Sequence, residues 1–196
     1  MERKIICVTG GIGSGKSTVC SLLEQRGYPV YYSDARAKSL MVEQEELVQS
    51  IKDLFGSEAY EQGSLNRTYL ADQIFKSPLL KGDLEKLVHP AVRRDFDQWL
   101  QHQNSRLIFK ESALAIEVND ATCELKVSVV ADRKLRIARI LSRNTDWSLE
   151  DVIARMSNQI TDKQRISSSD EIIYNNGDHR DLKQAVDQLL DKVNII

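Results

Sequence analysis

Lys4-Ile-Ile-Cys-Val-Thr-Gly-Gly-Ile-Gly-Ser-Gly-Lys-Ser-Thr18 is the stretch on which the fold turns. Its opening, Lys4 to Thr9, is an apolar, β-rich run without polar alternation, the pattern of a strand buried on both faces of a parallel sheet. Gly10 to Ser17 then fits G-x-x-x-x-G-K-[ST], a turn whose glycines bring successive backbone N–H groups toward one point. Across Ser17 to Arg26, Val19, Leu22 and Leu23 recur at helical spacing, and Gly27 closes that helix. Strand, turn and helix N-terminus together predict a phosphate cradle, because the helix end adds partial positive charge to the converging amides.

Gly11, Ile12, Gly13, Ser14, Gly15, Lys16, Ser17 and Thr18 are therefore expected to hold a nucleoside triphosphate, with ATP and Mg²⁺ as the cofactors. Lys16 is placed to reach the β- and γ-phosphates, and the Ser17 hydroxyl to ligate the metal. No Asn-Lys-x-Asp guanine reader occurs in the chain, which argues against a GTPase. One such site in a short chain points toward phosphoryl transfer to a small molecule.

Outward from this stretch, Pro29 to Tyr32 reads as a second strand, completing a β-loop-α-β opening. Residues 34–102 carry almost no strand signal and show helical periodicity in Glu45 to Phe55, Arg67 to Phe75 and Leu79 to Leu100, broken by Gly56, Gly63 and Pro78. His89-Pro90 is expected to interrupt the last of these. So much helix exceeds an ordinary crossover and is read as an insertion for a second substrate. Strands return at Arg106 to Lys110, Glu124 to Val130 and Ile172 to Tyr174. Helices follow at Arg133 to Ser142, Ser148 to Gln159 and Asp181 to Val193, with Ser148 and Asp151 as a capping box. The sum is one α/β domain over 1–196, a three-layer sandwich around a five-stranded parallel sheet.

Composition limits the partners. A length of 196 residues with 41% hydrophobic and 29% charged residues suits a folded globular chain. The net charge of -2 gives no general pull toward nucleic acid or anionic membrane, so neither is expected as a partner. The apolar run behind the charged N-terminus is too short for a signal peptide or a membrane span. Cys7, Cys20 and Cys123 lie far apart with no CxxC pair, which speaks for reduced thiols in the cytoplasm and against zinc or a disulfide framework. Cys7 and Cys20 read as small core residues.

Three features outside the cradle bear on chemistry. Asp34 follows the second strand, where it either takes a proton from an acceptor hydroxyl or caps the next helix. Residues 133–165 are locally basic, and Arg136, Arg139 and Arg143 share one helical face. Arg139 and Arg143 are the candidates there for neutralising a transferring phosphoryl group, against a merely solvated face. His89 by itself is as well explained by a structural role.

Together these features resemble the dephospho-coenzyme A kinase family. The phosphate loop Val8 to Thr18, Ser33-Asp34-Ala35-Arg36-Ala37-Lys38, Leu87-Val88-His89-Pro90, Glu111 to Glu117, the lid pattern of Arg139, Arg143, Arg155 and Gln159, and Asp170 to Gly177 carry the likeness in order. It departs from the family at Tyr32, where many members have the first aspartate of Asp-x-Asp, at Lys38 for an arginine, and at Ala113-Leu114-Ala115 for Pro-Leu-Leu. The resemblance implies a P-loop, nucleoside-monophosphate-kinase-like fold with a helical insertion at 34–102 and a lid at 144–165. It implies ATP-dependent phosphorylation of the ribose 3′-hydroxyl of dephospho-CoA, the last step of coenzyme A synthesis. Lys16, Asp34, Arg139 and Arg143 would be catalytic, with Asp34 as base. His89, Arg94 and Glu117 would lie near the acceptor, and Asn176 and Gly177 near adenine. Another small-molecule kinase and a nucleotide-gated binding protein are the alternatives; the sequence leaves monomer and weak homo-oligomer open.

Overall fold

The computed structural model describes residues 3–195. The expected first strand, β1 (Lys4–Gly10), is central to a five-stranded parallel sheet together with β2 (Val30–Tyr32), β5 (Leu107–Glu111), β6 (Leu125–Val130) and β7 (Glu171–Tyr174). Its order is β2-β5-β1-β6-β7, with Lys4 beside Leu107 and Ile6 beside Leu125. Because β1 is flanked on both edges and covered on both faces, Ile6, Cys7 and Val8 are wholly buried, as an unbroken apolar run requires. α1 (Lys16–Gln25) buries Val19, Cys20, Leu22 and Leu23 and packs with α9 (His179–Ile195). α6 (Arg133–Arg143), α7 (Leu149–Ser157) and α8 (Asp162–Ser167) complete this unit, which comprises residues up to Tyr31 and from Asn104 onward.

Parallel pairing has a consequence for function. All strands point the same way, so the segments after Gly10, Glu111, Val130 and Tyr174 leave the sheet at one edge.

Residues Tyr32–Gln103 form a second compact unit. It holds α2 (Ser33–Glu43), α3 (Glu45–Phe55), a 3₁₀ turn (Ser57–Ala59), α4 (Arg67–Lys76) and α5 (Leu79–Gln101). In α3, Leu47, Ile51 and Phe55 recur four apart and are buried on one stripe. They meet Leu40, Ala59, Leu70, Val88 and Ala91 in the unit's own core, where each large side chain contributes roughly 1.5–3 kcal/mol. Tyr60 and Tyr69 tie this core to the backbone through Met41 O and Phe55 O. Burial pushes the Tyr60 phenol up to about 12.

Four findings depart from the expectations. α5 runs through Pro90 without a break, for Lys86 and Pro90 are both exposed and water can serve the carbonyl that proline leaves without a donor. A short hairpin, β3 (Tyr60–Glu61) and β4 (Ser64–Leu65), crosses the helical stretch, turning at Gln62 and Gly63, both at positive φ. α8 was not anticipated. Cys7 and Cys123 form a disulfide, with Cα atoms 5.4 Å apart, where no disulfide was expected. A separation of 116 residues hides this pair in the sequence; it becomes a pair only because β6 lies beside β1. Cys20 stays a buried thiol, and burial, with Glu111 and Glu24 nearby, pushes its ionisation well above the usual range. Near the disulfide, burial would raise Asp120, but hydrogen bonds from Lys110 (Nζ at 2.7 Å) and Thr122 hold it below the usual carboxylate range. No helix among the described residues is long and apolar enough to cross a membrane.

Candidate active site

Gly10 to Gly15 leave the end of β1 and enter α1 at Lys16. Gly15 sits at φ +102°, and a Cβ there would overlap Asn175 Nδ2, so only glycine fits both the backbone and the neighbour. The turn has no acidic residue in the first turn of α1, leaving the helix N-terminus positive. It opens onto a cavity of about 430 Å³ lined by Lys16, Ser17, Thr18, Glu111, Arg139 and Arg143 together with loop residues Ile12, Gly13 and Gly15. Lys16 Nζ donates to Gly10 O at 2.9 Å. A smaller adjoining cavity of about 200 Å³ shares Gly15, Thr18 and Arg139, and adds Asn175, Gly177 and Leu182.

The three arginines on one face of α6, Arg136, Arg139 and Arg143, divide sharply. Arg139 lines both cavities; its Nη2 reaches Asn175 Oδ1 at 3.5 Å, while its Nη1 is shielded from solvent without a hydrogen bond. A buried guanidinium nitrogen with nothing to donate to is costly, and an anion in either cavity would remove that cost. Arg143 lines the larger cavity. Arg136, in contrast, is only 4% exposed and is engaged by Ile12 O and Asp162.

Sequence reasoning passed over two residues here. Glu111 ends β5 beside Val8 and faces the cavity with Ser17; a carboxylate closing a strand next to β1 was the available signal. Asn175 directly follows β7, is buried, and donates to Ser14 O at 2.8 Å. Its neighbour Asn176 turns to Asp132, accepting from the main-chain N–H at 2.8 Å, while Gly177 lines the smaller cavity.

Glu117 lies in the segment after β5, with Oε1 3.3 Å from Nη2 of the fully buried Arg165. In residues 144–165, the predicted capping box at Ser148 and Asp151 starts α7, and Arg155 stacks on Trp147 at 4.0 Å. Gln159 Oε1 accepts from Ile12 N at 2.8 Å.

The helical unit carries the remaining candidates. Asp34 is exposed in the first turn of α2, which begins at Ser33 with Tyr32 at its cap position and no side-chain capping bond, so Asp34 is not the cap. His89 and Arg94 are exposed on α5, and Arg94 borders a cavity of about 330 Å³ with Leu40, Ala91 and Asp95. Asp95 is held by Arg36 through a bidentate pair at 2.8 and 3.0 Å.

Known proteins match this chain along nearly its whole length. A family model for dephospho-CoA kinase matches residues 4–181. A dephospho-CoA kinase of Salinibacter ruber is 37% identical over 187 residues, covering 93% of this chain and 94% of the relative. A crystal structure from Thermus thermophilus superposes with a TM-score of 0.87 at 34% identity, covering 98% of this chain and 99% of that one. The dephospho-CoA kinase structure from Campylobacter jejuni, 23% identical with a TM-score of 0.67 over 96% of each chain, shares the fold. The family match over residues 4–181 and the 37% identity along nearly the whole chain place it in the dephospho-CoA kinase family.

Proposed function

We propose that this enzyme transfers the γ-phosphoryl group of ATP to the ribose 3′-hydroxyl of dephospho-CoA, giving CoA and ADP. The observation that carries the reading is the cavity where Lys16, Arg139 and Arg143 converge on the phosphate loop. Three cations around one concave site neutralise charge that spreads over the equatorial oxygens in the transition state. The adjoining pocket with Asn175 and Gly177 suits the base of ATP.

The residues present also fit Mg²⁺. Ser17 Oγ and the Glu111 carboxylate face one cavity and offer hard oxygen donors, and Glu111 supplies the acidic group that Tyr32 does not. Such an ion, when bound, neutralises phosphate charge. Asp34 takes the proton of the acceptor hydroxyl, and His89, Arg94 and Glu117 contact the CoA precursor. Residues 34–102 form the acceptor-binding insertion and 144–165 the lid that excludes water. The enzyme's substrates, ATP and dephospho-CoA, are met in the cytoplasm and carry the location, because the Cys7–Cys123 disulfide removes the argument from reduced thiols.

The deciding assay incubates the protein with Mg-ATP and a panel of dephospho-CoA, nucleosides and nucleoside monophosphates. ADP forms with dephospho-CoA alone, and Lys16→Ala abolishes it. Faster turnover of a nucleotide would reassign the acceptor; tight ATP binding without acceptor-dependent ADP would leave a nucleotide-gated binding protein.

A further inference from the structure

Arg136 stands one turn before Arg139 on α6, yet it does not border the nucleotide cavity. Its guanidinium is buried against the outside of the phosphate loop. Nε donates to Ile12 O at 2.9 Å, and Nη1 donates to both Asp162 oxygens at 2.8 and 3.0 Å. Gly11 lets this happen, because a Cβ at that position would overlap the guanidinium. The same loop residue is held from its other side, where Ile12 N–H donates to Gln159 Oε1. Both main-chain groups of Ile12 are thus fixed by side chains from outside the loop.

The electrostatic meaning follows from what the loop must do. A cradle that aims N–H groups at an anion fails if a carbonyl rotates inward, because its negative end then faces the phosphates. Arg136 draws the Ile12 carbonyl outward with a charge-assisted bond, and Asp162 fixes the guanidinium while cancelling its charge. Asn175 does the same for Ser14 O with a neutral amide.

We infer that Arg136, braced by Asp162, is a positioning residue for the phosphate loop and not a phosphate ligand. The inference rests on the reading of this loop as the ATP site, and adds that residues 159–162 brace it from behind. Movement of the lid is then confined to the part before Gln159, around α7. The rival assignment has Arg136 leaving Asp162 to grip the triphosphate directly.

Steady-state kinetics with each substrate varied in turn at saturating co-substrate, ADP titration calorimetry and thermal unfolding on wild type, Arg136→Gln, Arg136→Lys and Asp162→Asn separate the two. Losing a hydrogen bond from a charged donor corresponds to about ten- to a hundredfold in affinity. Arg136→Gln raises the ATP KM and the ADP Kd by that amount, with a smaller fall in kcat and an unchanged KM for dephospho-CoA. Arg136→Lys does not rescue, since one ammonium cannot serve the Ile12 carbonyl and both Asp162 oxygens. Asp162→Asn, which keeps the arginine and stands in if Arg136→Gln fails to fold, weakens ADP by a lesser factor. Tighter ADP binding in Asp162→Asn, or affinities within twofold of wild type in both Asp162→Asn and Arg136→Gln, would overturn the inference. Wild type without ADP affinity would sink the ATP-site reading beneath it.

Discussion

Asp34 shows how much a single carboxylate is asked to do. It is exposed in the first turn of a helix, where a negative charge is favoured but no capping bond employs it. A group with no structural duty can be altered without harm to the fold, which makes it a clean probe. Asp34→Asn should lower kcat by about 10²–10⁴-fold, the range for a lost general base, with little change in the ATP KM or the unfolding midpoint. Near-normal kcat would remove the base assignment. Arg136 and Arg139 carry the opposite lesson about residues. In the sequence both belong to one basic helical face, and only the placement of Ile12 and Asp162 separates a brace from a cavity-lining cation. Glu111 and Asn175 lie within stretches that carry the family likeness, yet became site residues only when their strands were paired with β1 and β6.

Elements were legible where their information is local. β1, the loop and α1 lie consecutively, and their pattern predicts both the strand and its turn; α3 announces itself through Leu47, Ile51 and Phe55. α8 was not legible because it is six residues long and its buried side chain is an arginine, Arg165, whose Nη atoms reach Thr9 and Glu117 in distant segments while its Nε has no hydrogen-bond partner. Pro90 was legible as a helix breaker but did not act as one. Proline inside a helix costs about 3 kcal/mol relative to alanine. Local rules are broken most often where function demands it, and His89-Pro90 belongs to the likeness that implies acceptor binding. Pro90→Ala should therefore raise the unfolding midpoint by roughly 6–12 °C and at the same time raise the KM for dephospho-CoA. Calorimetry together with acceptor titration checks both, and an unchanged KM would disconnect the proline from the acceptor.

For the whole molecule, the five-stranded parallel α/β architecture was readable from alternating strand and helix signals, whereas the Cys7–Cys123 link was not. That bond closes a ring of 116 residues' separation, worth about 4–5 kcal/mol in the chain-entropy account. Reductant should lower the unfolding midpoint of wild type, and Cys123→Ser should match the reduced protein and no longer respond; an unmoved midpoint would mean that the link adds no stability. The position of β1 has a separate bearing on biogenesis. During synthesis Lys4 waits for Leu107 and Ile6 for Leu125, both made much later, before either edge finds a partner. At about 5–20 residues per second the nascent ribbon stays bare for roughly 5–20 s. A translational pause in that interval leaves its greasiest segment exposed to trigger aggregation or to recruit a chaperone.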